Sequence, residues 1–63
     1  MERVIRILMR RDGITREEAE EEIRLFQETA EACLEEGDME GVTEALYDIL
    51  GLEEDYIFDI LQY

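Results

Sequence analysis

The chain has no histidine, no lysine and no proline, and only one cysteine. Each absence closes off a class of chemistry. Without histidine, Cys33 has no imidazole to activate it as a nucleophile, and a zinc site built on Cys and His clusters has nothing to draw on. A lone cysteine forms no intramolecular disulfide, which suits a reducing, cytoplasmic setting. No apolar run approaches the ~20 residues needed to span a bilayer. The opening "MERVIRILMRRDG" lacks the long apolar region and small-residue cleavage site of a signal peptide. A glycine-rich phosphate loop is missing, and neither "EEGDMEG" nor "GLEEDY" follows the ligand spacing of a calcium loop. Carboxylates are so numerous that some pair must fall close by chance, but no aromatic-lined cleft accompanies one. The expectation is a non-catalytic protein with no catalytic residues, no cofactor and no metal.

What the chain does have is negative charge. Nineteen acidic residues face six arginines, for a net charge of −13 over 63 residues. The distribution is uneven. Residues 1–12 hold four arginines against Glu2 and Asp12, whereas residues 13–63 hold two arginines against every other acid. Direct binding to nucleic acid or to an anionic membrane is disfavoured, because the phosphate field repels most of such a surface. Disorder is the other meaning of high charge, but the apolar content of 46%, arranged periodically, argues for a folded core. A chain of this length makes one small domain, marginal in stability unless its helices pack well or it self-associates.

With no proline, glycines at 13, 37, 41 and 51 are the punctuation. They divide the chain into four predicted helices. The first, about Glu2 to Arg11, sets Met1, Val4, Ile5 and Leu8 on one face and Arg3, Arg6 and Arg10 on the other, with Gly13 as its stop. The second opens with "TREE", a capping box in which Thr15 caps and Glu18 reaches back. Ala19, Ile23, Phe26, Ala30 and Cys33 follow at alternating steps of four and three, a seam for a neighbouring helix, and Gly37 ends it after Glu36. Asp38 caps the third helix, where Met39, Val42, Leu46 and Ile49 repeat the spacing before Gly51. Leu52 then folds back onto the helix end. The fourth, about Glu54 to Leu61, is apolar around more than half its circumference, too much for a lone surface helix. The fold class is therefore all-α: three main helices plus a short C-terminal fourth, in a single domain over residues 1–63. The second and third form an antiparallel hairpin across which the first and fourth pack. The predicted core is Val4, Ile5, Leu8, Ile23, Phe26, Ala30, Cys33, Val42, Leu46, Ile49, Ile57 and Leu61.

The stretches "DGITREEAEEEI" (Asp12–Ile23), "EEGDMEG" (Glu35–Gly41) and "LGLEEDYI" (Leu50–Ile57) resemble a loose group of small acidic proteins encoded by phages and prophages. Members often carry proline where this chain has Glu54, which fits a first helical turn. The shared motifs are capping and packing signals, so the resemblance brings no activity with it. It implies a phage or mobile-element origin and a bacterial cytoplasm.

Two surfaces are candidates for a partner. Glu17, Glu21, Glu28, Glu31 and Glu35 line one face of the second helix as a negative stripe suited to a basic, nucleic-acid-binding groove on another protein, with Glu20–Arg24 as an internal i,i+4 pair. The blander reading of that stripe is a solvated face that keeps the chain soluble. Tyr47 and Tyr63 fall off the apolar stripes, and Phe58 belongs to the overly apolar fourth helix. These three are candidate contacts for a second protein. The functional expectation is an acidic protein-binding module that docks on a host or defence protein as an inhibitor. The alternative is an assembly module that forms a homo-oligomer, a homodimer in the simplest case, through its C-terminal helix.

Overall fold

The computed structural model describes residues 2–61, so Met1 and Tyr63 lie outside the described residues. Helix α1 spans Glu2–Asp12, α2 Arg16–Glu35 and α3 Met39–Ala45. α3 runs on into a π turn, Leu46–Leu50, and a 3₁₀ turn, Glu54–Tyr56, leads into α4, Ile57–Leu61. No strand occurs among the described residues, and the architecture is the all-α arrangement expected.

The helix ends are where the sequence signals place them. Thr15 and Glu18 form the full capping box: the Thr15 hydroxyl accepts from the Glu18 N–H, and the Glu18 carboxylate accepts from the Thr15 N–H. At the other end of α2, the Gly37 N–H donates to the Leu34 carbonyl and the Asp38 N–H donates to that of Cys33. This pair of bonds is the Schellman motif, which requires the left-handed conformation that Gly37 adopts at φ 74°. Asp38 immediately caps α3, accepting from the Gly41 N–H at 2.9 Å. One residue thus closes one helix and opens the next, and the chain turns back within three residues. α2 makes its most extensive contact with α3, and α1 and α4 both pack against α2.

Val4, Leu8, Phe26, Val42, Leu46, Leu50 and Ile60 are the largest fully buried side chains. Each contributes on the order of 1.5–3 kcal/mol by leaving water. Small Ala19 and Ala30 on α2 and Ala45 on α3 fill the remaining closest positions.

Three predicted core residues are only half-buried. Ile49 gives way to Leu50 because the turn before Gly51 closes i→i+5, adding roughly one residue to the turn and carrying position 50 inward in place of 49. Leu61 gives way to Ile60, which sits three residues after buried Ile57, and Leu61 stays at the edge beside Gln27 and Glu31. Cys33 is held at the margin against Gly41, where a Cβ would come within 2.9 Å of its Sγ and 2.5 Å of an Asp38 carboxylate oxygen. The expected fold-back of Leu52 is present: it is buried behind the left-handed Gly51, whose N–H donates to the Tyr47 carbonyl at 2.8 Å.

Polar bonds tie the helices together. Arg11 at the end of α1 donates to the Leu50 carbonyl at 2.6 Å and to the Gly51 carbonyl at 3.1 Å, holding the end of the π turn. Gln27 on α2 donates to the Ile60 carbonyl of α4 at 3.3 Å. The Arg3 guanidinium lies 4.8 Å over the Tyr56 ring and 3.4 Å from the Asp59 carboxylate, joining α1 to the C-terminal segment.

Candidate functional site

The capping box sets the phase of α2, and that phase turns Ala19, Ile23, Phe26 and Ala30 to the core. Glu17, Glu21, Glu28, Glu31 and Glu35 lie on the opposite side, and all five are exposed. At 1.5 Å per residue they span about 27 Å of helix. Arg24 falls in the middle of the same stripe and pairs with Glu21 at 3.4 Å. The predicted Glu20–Arg24 pair is not formed. Glu20 is taken by Arg16 at 3.5 Å, because Arg16 is already oriented by its forked hydrogen bonds to Glu2. Glu17, Glu28, Glu31 and Glu35 make no ion pair among the described residues. The longest unpaired run of the stripe is therefore Glu28, Glu31 and Glu35, its C-terminal half.

A second acidic surface lies on α3 and the turns that follow. Glu40, Glu44 and Asp48 recur at steps of four along one side of α3 and the π turn. With Thr43, Tyr47 and, from the 3₁₀ turn, Glu54, they line an open groove of about 710 Å³. Tyr47 is 71% exposed in this groove, and Phe58, one helical turn beyond Glu54, is 64% exposed. The structure thus brings Tyr47 together with acids the sequence reading did not select, and sets them apart from the α2 stripe. Their signal was available in the four-residue recurrence of carboxylates, but it was masked by the abundance of glutamate everywhere else. Among the described residues, Leu25 and Met39 are the other large apolar side chains in water. Tyr63 lies outside the described residues.

Positive charge gathers on α1. Arg3, Arg6, Arg10 and Arg11 line a groove with Ile7, and no acid shares its lining. Five of the six arginines make ion pairs, and Arg10 makes none among the described residues. Where pairs form, they shift titration. Hydrogen bonds from Arg16 hold the Glu2 carboxyl below its ordinary value, and those from Arg11 do the same for Asp12. The partner arginines move up for the same reason.

Among the described residues, no three carboxylate or thiol groups converge closely enough to hold a metal ion, and no helix is long and apolar enough to cross a membrane. What the described surface exposes is carboxylate charge and the Tyr47 and Phe58 rings. No protein-family model, no curated protein and no solved structure matches the chain.

Proposed function

We propose that this chain is a non-catalytic, acidic protein-binding module of phage or prophage origin. It docks on a basic, nucleic-acid-binding surface of a host or defence protein and inhibits it by occupying that surface. The observation that carries the reading is the α2 stripe: five exposed glutamates on one face, four of them with no arginine partner among the described residues. A rigid helix, fixed by a capping box at one end and a Schellman motif at the other, presents these charges at set intervals. Fields of this kind act chiefly on encounter, speeding association and rejecting partners of like charge.

The test uses a partner captured from the bacterial cytoplasm and measured by surface plasmon resonance. Neutralising Glu28, Glu31 and Glu35 together to glutamine should slow association by roughly tenfold at low ionic strength and leave dissociation nearly unchanged. Association rates equal to the parent's at every salt concentration would reject the charge-steered reading.

A second reading has its own observation. Phe58 stands on α4 with 64% of its surface in water, as a homo-oligomer built through that helix requires. Sedimentation across a concentration series separates the two, because a monomer at all concentrations removes the oligomer.

A further inference from the structure

We infer that the groove between α3 with its π turn and the 3₁₀ turn before α4 is the seat of a basic amphipathic segment of the partner, which is anchored on Tyr47 and extends to the exposed Phe58 of α4, outside the groove's lining. This rests on the proposed docking role and gives it a place and a chemistry. Two aromatic rings stand in water, Tyr47 at 71% and Phe58 at 64%, although both belong to segments whose other large apolar residues are buried or half-buried. Tyrosine and phenylalanine are the residue types enriched where a second protein seats. A purely apolar occupant does not fit, because Glu40, Glu44, Asp48 and Glu54 border Tyr47 in the groove and would be stranded without counter-charge. An occupant with lysine or arginine along one side and apolar residues along the other satisfies both features. Its cations meet the row of carboxylates and the face of the Tyr47 ring, and its apolar side covers the aromatics.

Competing occupants fare worse. Nucleic acid and anionic lipid meet four carboxylates of their own sign. A second copy of this chain, approaching by the same face, would set those carboxylates against their own images. A metal ion finds no three ligands close enough together among the described residues. The π turn adds a circumstance: one wall of the groove carries the i→i+5 irregularity that gathers at functional sites in helical proteins. The two acidic surfaces then divide the work. The α2 stripe governs approach, and the Tyr47 groove governs how long the partner stays.

The experiment is an NMR titration of the isotope-labelled chain with a synthetic amphipathic leucine–lysine helix, run beside a lysine-only peptide of equal length. The amphipathic peptide should bind roughly tenfold more tightly than the lysine-only one, with shifted amides at Thr43, Glu44, Tyr47, Asp48 and Glu54. Tyr47→Ala and Phe58→Ala should each weaken it by roughly tenfold, whereas Leu25→Ala, which removes an exposed apolar side chain outside the groove, should stay within about twofold. Both aromatics are exposed, so their removal leaves the core intact, which circular dichroism verifies. Shifts confined to the α2 stripe, with Tyr47→Ala neutral, would overturn this inference and leave the docking role standing. Shifts that appear with protein concentration alone would assign the groove to a second copy and overturn it as well. Failure of both peptides to bind would remove the inference and the docking role together.

Discussion

Arg11 is the residue on which the most separate parts of the chain converge. Its guanidinium donates to the Leu50 and Gly51 carbonyls, the unsatisfied acceptors at the end of the π turn, while its remaining N–H groups pair with Asp12. Gly51 is needed there twice, for its left-handed φ of 65° and because a Cβ would stand 3.2 Å from the Arg11 guanidinium. Arg11→Ala should cost about 1–2 kcal/mol in urea unfolding, since it strips charge-assisted bonds from helix-terminal carbonyls. Arg11→Lys should recover only part of that, because an ammonium lacks the planar fork that spans two acceptors. Gly41 makes the complementary case. Glycine inside a helix usually costs about 1 kcal/mol against alanine, so Gly41→Ala looks stabilising from propensity alone. Here the added methyl would meet the Asp38 carboxylate that caps α3 and the Cys33 thiol. Gly41→Ala should instead lower stability by about 1 kcal/mol through damage to the cap. Removing the thiol as well, in the Cys33→Ala background, should soften the loss, and a double-mutant cycle measures the difference. Neither effect is legible in the sequence, because both depend on which residues meet across space.

At the scale of the element, local chemistry was readable and tertiary phase was not. Thr15 with Glu18, Gly37 with Asp38, and Gly51 with Leu52 mark helix ends through bonds between residues close in sequence, so the string itself carries them. The seam on α2 was equally plain, because twenty residues of regular helix keep their periodicity. The last core position before Gly51 was misread by one residue, Ile49 for Leu50, because a 3.6-residue period assumes α geometry and the i→i+5 turn at Leu46–Leu50 breaks it. The groove beside Tyr47 went unseen for a related reason: Glu54 reaches it from a different element. The link between α1 and α2 gives a pH prediction. Glu2 is hydrogen-bonded by Arg16 and its carboxyl is held below 4.5, its ordinary value. A carboxyl depressed in the folded state stabilises that state above its unfolded value and loses the contribution as pH falls through the folded one. The stability difference between the parent and Glu2→Gln should therefore be constant near neutrality and shrink below about pH 4.5. Chemical denaturation at a series of pH values measures it, and a difference that grows on acidification would contradict the assignment of the shift to Arg16.

For the whole molecule, charge of one sign is the main electrostatic fact. Six arginines cannot neutralise nineteen acids, and the net −13 sits on a body of only 33 × 19 × 18 Å. Every pair of like charges across it lies within a few Debye lengths at low salt, where that length is about 30 Å at 0.01 M and 8 Å at 0.15 M. The exposed ion pairs weaken in salt too, but each contributes only about 0–1 kcal/mol. The repulsion should win. Sodium chloride added from near zero to physiological strength should raise the melting temperature by several degrees, read by calorimetry, and a fall would show that the ion pairs dominate. The six-to-nineteen imbalance was visible from composition. Its partition into an arginine-lined side on α1, a glutamate stripe on α2 and an acidic groove beside Tyr47 needed the packed helices.

The Arg11 bridge also has a kinetic meaning. It joins residues 40 apart in sequence, whereas the turn between α2 and α3 closes within a few. Short closures form early and long ones late, because ordering a long loop precedes the reward of its contact. The α2–α3 hairpin is then the natural folding nucleus, with α1 locking on after the barrier. In stopped-flow measurements Arg11→Ala should leave the refolding arm almost unmoved and accelerate unfolding by nearly the whole of its equilibrium cost. The bridge from α1 then acts as a latch: it does little to assemble the molecule and much to set how long it stays assembled.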